Sequence, residues 1–174
     1  LYLRLLGANT FRGGDAFSIG DIRIRPLVID HSAVDSYMFA LEAEGKHVLY
    51  TGDFRMHGLR HHVLQKLVNT YIGEIDVLIT EGTSLSRDAD KYISEAAVLD
   101  DISSYIQDGK YVFIMCSSTN IDRIMGIWQN MPTDKVLICD AYQKRILDTV
   151  INNVYYESSL YRRHDSPLVL SKGP

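Results

Sequence analysis

Apolar positions along the chain switch repeatedly between strand-like and helical spacing. "DIRIRPLVID", residues 21–30, sets Ile22 and Ile24 between polar neighbours and then runs Leu27, Val28, Ile29. This is a strand pattern, weakened where Pro26 withholds a ladder donor. "SYMFALEAEGKHVLYTGD" holds two strand-like runs joined around Glu44-Gly45-Lys46, a hairpin signal. "LRHHVLQKLVN" then switches to helical spacing, with Leu59, Val63 and Leu67 on one face and Leu64 and Val68 beside it. "IDVLIT" reads as a short continuous apolar strand between Gly73 and Gly82.

The second half alternates helix and strand. "EAAVLDDISSYIQDG" is an amphipathic helix through Val98, Leu99, Ile102, Tyr105 and Ile106, stopped by Gly109. "KYVFIMC" is expected as a buried strand. "STNIDRIMGIWQN" places Ile121, Ile124, Met125 and Trp128 on one helical face. "KVLICD" is expected as another buried strand, followed by the helix "AYQKRILDTVINN". Continuous apolar strands between helices imply an α/β fold with a parallel sheet covered on both faces. The shift in pattern falls in "SLSRDADKY", residues 84–92, which divides the chain into domains 1–88 and 89–174. Past Asn153 the pattern fades into a Tyr-, Ser- and Arg-rich stretch, and "SPLVL" opens another strand.

Composition narrows the class. With 174 residues, 46% hydrophobic and 23% charged, the chain is an ordinary globular one. No run approaches the roughly 18 apolar residues of a membrane span, and no secretory signal opens it. A cytoplasmic protein is expected. The first residue is Leu1 and not Met, so an internal piece of a longer protein is expected. The only cysteines, Cys116 and Cys139, are too far apart for a CxxC pair and read as free thiols in a reducing compartment. A net charge of −4 leaves no global basic field, so contact with nucleic acid would be local.

Three residues directly follow apolar strands and are flanked by small side chains: His31 in "VIDHSAVDSY", Asp53 in "YTGDFR" and Glu81 in "LITEGTS". An imidazole and a carboxylate suit zinc or manganese. A turn aspartate and a polar-paired histidine fit the same letters. Asp30 and Asp35 read either as acceptors that orient His31 or as turn formers.

Order and wording add to this. "DHSAVDSYMFALEAEGKHVLYTGDFRMHG" resembles the second half of a metallo-β-lactamase-fold hydrolase, in particular the RNase J-like β-CASP nucleases. "TEGTS" and "FIMCSSTNIDRI" resemble, respectively, the acidic mark of that branch and the start of its inserted β-CASP domain. The resemblance implies an αββα sandwich, here its second half, followed by part of a β-CASP α/β domain with a parallel sheet. It implies His31 and Asp53 as metal ligands, Asp53 bridging two Zn²⁺ ions (Mn²⁺ serving equally), and Glu81 behind them. It implies metal-assisted hydrolysis of RNA or single-stranded DNA, by activation of a bridging water. Ser117, Ser118 and Thr119 would meet a phosphate at a helix start or cap that helix. Arg55, in a basic cluster with His57, Arg60, His61 and His62, would lie near the substrate. Pairing as a homodimer stays open.

The family's H-x-H-x-D-H motif is absent. The fragment alone is therefore expected to be inactive, since a tight zinc site takes three or four protein ligands. Other readings are a metallo-β-lactamase-fold hydrolase of a small ester or thioester and a non-catalytic β-CASP scaffold subunit. A Rossmann-type nucleotide turn at "CSSTNIDRI" lacks G-x-G-x-x-G.

Overall fold

The computed structural model describes residues 7–83, 85, 92–152 and 167–170. It divides into two compact units, one drawn from 1–31, 35–56 and 60–91, the other from 32–34, 57–59 and 92–174. The expected boundary at 84–92 lies almost wholly outside the described residues, as does the stretch after Asn153.

The first unit is built on a five-stranded sheet in the order β1 (Phe17–Ile19), β2 (Ile22–Val28), β3 (Tyr37–Ala43), β4 (Lys46–Tyr50), β5 (Val77–Ile79). Pairing is antiparallel from β1 to β4 and parallel between β4 and β5. The hairpin expected at Glu44-Gly45 closes β3 onto β4, with φ of 51° and 68° at those two residues. Left-handed backbone at both centres is the type I′ turn, whose twist matches that of the strands. Pro26 survives inside β2 because the β1–β2 ladder reaches no further along β2 than the Phe17–Ile24 pair. Its carbonyl accepts from the Gly14 N–H at 2.7 Å, and a strand residue's N and O face the same side. The missing donor thus faces a loop and breaks no ladder bond.

One face of this sheet carries Leu27, Met38 and Leu49, buried with Ile29 and Ile72 against Phe54, Leu64 and Leu67. Full burial of each large side chain contributes about 1.5–3 kcal/mol. The helix α1 (His61–Leu67) supplies Leu64 and Leu67, then widens into a π-helical turn over Val68–Ile72 that ends at Gly73, φ 58°. Val68, expected beside the apolar face, is exposed, and Ile72 at the end of the wider turn is buried. The other face holds a cluster of Phe11, Phe17, Tyr37 and Phe39 rings. β5 forms as expected but lies at the sheet edge with Val77, Leu78 and Ile79 about half exposed.

The second unit is helical at heart. α2 (Glu95–Asp108) starts at Ser94, whose hydroxyl accepts from the Ala97 N–H, and stops at Gly109. α3 (Ile121–Gln129) buries Ile121, Ile124, Met125 and Trp128 as its spacing predicts, and Ile127 and Gly126 as well. A Cβ on Gly126 would lie 2.6 Å from Leu99 Cδ1, so α2 and α3 meet closely there. Arg123 of α3 donates to both oxygens of buried Glu95 on α2, at 2.6 and 3.0 Å. α4 (Ala141–Ile151) is capped by Asp140 and packs Leu147 and Val150 onto α3. Tyr105, expected on the apolar face of α2, is exposed.

Strands in this unit depart further from expectation. "KVLICD" yields only β6 (Ile138–Cys139), paired in parallel with β7 (Leu168–Val169), the strand foreseen at "SPLVL". "KYVFIMC" forms no ladder, and Phe113 and Met115 are fully exposed. Parallel pairing persists where both faces are covered; residues 111–115 are exposed, and of this run Cys116 packs against the core cluster of α3 and α4. Both cysteines are free and half-buried, and burial pushes each thiol above its ordinary range.

Asp76 gives this fold a pH signature. Its carboxylate accepts from the Lys46 ammonium at 2.7 Å and the His47 N–H at 2.8 Å, clipping β4 to the approach of β5. Those bonds, Lys46 first, hold its carboxyl below the usual range. A depressed carboxyl stabilises the fold above its unfolded pKa, and that contribution is lost as pH falls through the folded value. Asp76→Asn should lower the urea midpoint at pH 7, with the gap to wild type closing on acidification below pH ~4. An unchanged gap across that window would contradict the clip.

Candidate functional site

β2, β4 and β5 run in the same direction, since each of β2 and β4 is antiparallel to β3 and β5 is parallel to β4. Their carboxyl ends therefore share one edge of the sheet. His31 follows β2, Asp53 follows β4 and Glu81 follows β5.

Backbone and side-chain bonds tie these three segments together. The Asp30 carbonyl, in the peptide that leads into His31, accepts from the Arg55 N–H at 2.8 Å. The Asp30 carboxylate, 2% exposed, accepts from Arg55 Nε at 2.9 Å and from the Arg60 N–H at 3.1 Å. Glu81 Oε1 accepts from the Phe54 N–H at 2.8 Å, while its second oxygen accepts from the Thr83 hydroxyl. Thr51 N–H donates to the Ile79 carbonyl at 3.0 Å, and the Thr51 and Thr80 hydroxyls meet at 3.2 Å. The loop that carries Asp53 is thus gripped on both sides.

Asp53 itself is spent on nothing. It is exposed, and among the described residues it has no hydrogen-bond partner. The glycine before it, Gly52, has φ 58°, and a Cβ there would sit 3.1 Å from the Tyr37 carbonyl oxygen. Glycine is needed for a left-handed turn and a close backbone crossing, and the turn presents the carboxylate outward.

The other candidates separate. His31 is half-buried, and among the described residues neither Asp30 nor Asp35 bonds to its ring. Asp35 is the turn former, at φ 60° with an acceptor bond from the Tyr37 hydroxyl. Asp30 proves to be an anchor for two arginines' segments, a role that its place in "DHS" did not suggest. The Arg55 side chain, 10% exposed, is turned to Asp30. His57 belongs to the second unit, where its carbonyl accepts from the Glu95 N–H and its ring stacks on Tyr92. His61 and His62 open α1 on its exposed side.

In the second unit, Ser117 and Thr119 hydroxyls bond each other at 2.9 Å and the Ser118 carbonyl accepts from Gln143 at 3.3 Å. None of the three caps α3. The cap position is Asn120, which makes no side-chain cap bond and whose Oδ1 is buried without a partner.

Among the described residues no group of three or more His, Cys, Asp or Glu side chains could hold a metal ion. His31 and Asp53 amount to an imidazole and a carboxylate, short of the three or four protein donors of a tight zinc site.

No family model matches the chain. It is 29% identical over 147 residues to Endoribonuclease YSH1 of Gibberella zeae, an alignment spanning 84% of this chain and 16% of that protein. A solved structure of a protein of unknown function from Enterococcus faecalis V583 superposes over 80% of this chain and 34% of its own, with a TM-score of 0.70 at 20% identity. The chain thus shares a known α/β fold and is distantly similar to an endoribonuclease. No helix among the described residues is long and apolar enough to cross a membrane.

Removing Asp30 should damage this edge most. Asp30→Ala removes the carboxylate that accepts from Arg55 Nε and from the Arg60 amide, and breaking a buried pair costs about 3–5 kcal/mol. Urea unfolding should register that loss. A change under about 1 kcal/mol, the size of a surface pair, would show that Asp30 does not hold the loops.

Proposed function

We propose that the chain belongs to a nuclease of the β-CASP type within the metallo-β-lactamase fold, acting on RNA, and that His31 and Asp53 are two of its metal ligands. The supporting observation is the unpartnered carboxylate of Asp53 on a loop fixed from both sides, at the sheet edge that also bears His31. The distant likeness to an endoribonuclease points the same way. The chain spans 16% of that relative, and the remaining donors would come from residues other than those described. Zinc or manganese suits the two donor types.

Within this reading each neighbour has a task short of chemistry. Glu81 holds the Phe54 amide and so the direction in which Asp53 leaves its turn. Arg55 is a positioning residue locked to Asp30. Ser117, Ser118 and Thr119 would offer hydroxyls to the phosphate chain of the substrate. An RNA strand is favoured over a small thioester because the chain carries a second, helical unit that a compact ester site does not need.

With the 174-residue chain, calorimetric titration of Zn²⁺ or Mn²⁺ should find no submicromolar site. In a polypeptide joining this chain to a complete ligand set, single-stranded RNA should be cleaved, a small thioester spared, and Asp53→Ala should abolish cleavage with the fold intact. Cleavage that survives Asp53→Ala removes the assignment.

A further inference from the structure

The face of the sheet under α1 changes character towards the β3–β4 hairpin. Directly paired residues share a face, so successive rows along it are Leu27 and Met38, then Arg25, Ala40 and Leu49, then Arg23, Glu42 and His47. The first row is buried, the last exposed, and the middle one mixed. Where the apolar cover runs out, a concavity of about 320 Å³ opens against the Thr70–Ile75 turn. Arg23, Arg25, Glu42, His47, Tyr71 and Ile75 are among its walls.

Arg25 is the unusual member. Half-buried, it donates Nη1 to the Gly14 carbonyl at 2.9 Å and lies over the Tyr71 ring at 5.7 Å. Both partners are neutral. Among the described residues no carboxylate pairs with it, and of the five N–H donors of a guanidinium one is used. Arg23 meets Glu42 at 3.6 Å with both side chains at least half exposed, a loose pair that a ligand can displace. A partly desolvated cation without a counter-ion is costly to keep unless something supplies the charge.

We propose that this concavity binds a small ligand made of one oxyanion and a flat apolar body. Arg25 takes the oxyanion, with Arg23 closing over it, and the body lies between the Tyr71 ring and Ile75. The site stands at the amino ends of β2 and β4, the opposite edge of the sheet from Asp53, and does not depend on the nuclease reading. The oxyanion is a carboxylate or a phosphate, and the choice of probes separates them.

Titration of the ¹⁵N-labelled 174-residue chain with benzoate, adenosine monophosphate and inorganic phosphate is the test. Saturable shifts are expected at Arg23, Arg25 and Tyr71 with benzoate or with the nucleotide. Inorganic phosphate, which lacks a body, should bind more weakly than the nucleotide. Arg25→Gln should weaken binding about tenfold or more, the size of a charge-assisted hydrogen bond. Tyr71→Leu should weaken the two flat-bodied probes and leave phosphate unchanged. If Arg25→Gln fails to fold by circular dichroism, Arg23→Gln and Tyr71→Leu carry the test, loss of affinity in both supporting the site and retention in both overturning it. Absence of saturable shifts from all three probes at about 10 mM, beyond the weakest useful affinities, overturns it too, as does full affinity in a folded Arg25→Gln.

Discussion

A buried carboxylate at the end of β2 organises the edge on which everything else rests. Asp30 accepts from Arg55 Nε and the Arg60 amide, while its carbonyl accepts from the Arg55 amide. A charged group this deep is tolerated only with its lone pairs filled and a counter-ion beside it. Both conditions are met by the segment just past Asp53, so the chain cannot release that segment without stripping the buried Asp30 carboxylate of these donors. Glu81 grips the same loop from the β5 side through the Phe54 amide. Strand direction brings three segments to one edge, and these carboxylates hold them there.

The consequence for chemistry is a division of labour among acids. Asp30, Glu81 and Asp76 are each committed to backbone or cationic donors, whereas Asp53 and the half-buried His31 are left uncommitted. A ligand aspartate needs a rigid backbone and a free carboxylate together. The left-handed Gly52 supplies the turn that lets one position have both.

Much of this was legible in the letters. The hairpin at Glu44-Gly45 follows from a turn that demands left-handed backbone. α3 follows from four apolar side chains on one face, and β7 from a short run after Pro167. Strand "KYVFIMC" was not legible as it stands, because a continuous apolar run signals a need for burial without naming what buries it. The half-exposed β5 has the same origin. Asp30 was misjudged for a different reason. Its partners lie 25 and 30 residues away, and nothing local distinguishes an anchor from a turn aspartate. An arginine two residues past the candidate ligand was the available signal, and composition read it as part of a basic patch.

Convergence of His31 and Asp53 on one cation can be measured even when the cation binds weakly. Substoichiometric Mn²⁺ added to the isotope-labelled chain should broaden the His31 ring and Asp53 side-chain resonances together, and Asp53→Ala should remove the broadening at His31. Broadening at one of the pair alone, or at His31 unchanged in Asp53→Ala, would mean that the two side chains do not face a common ion.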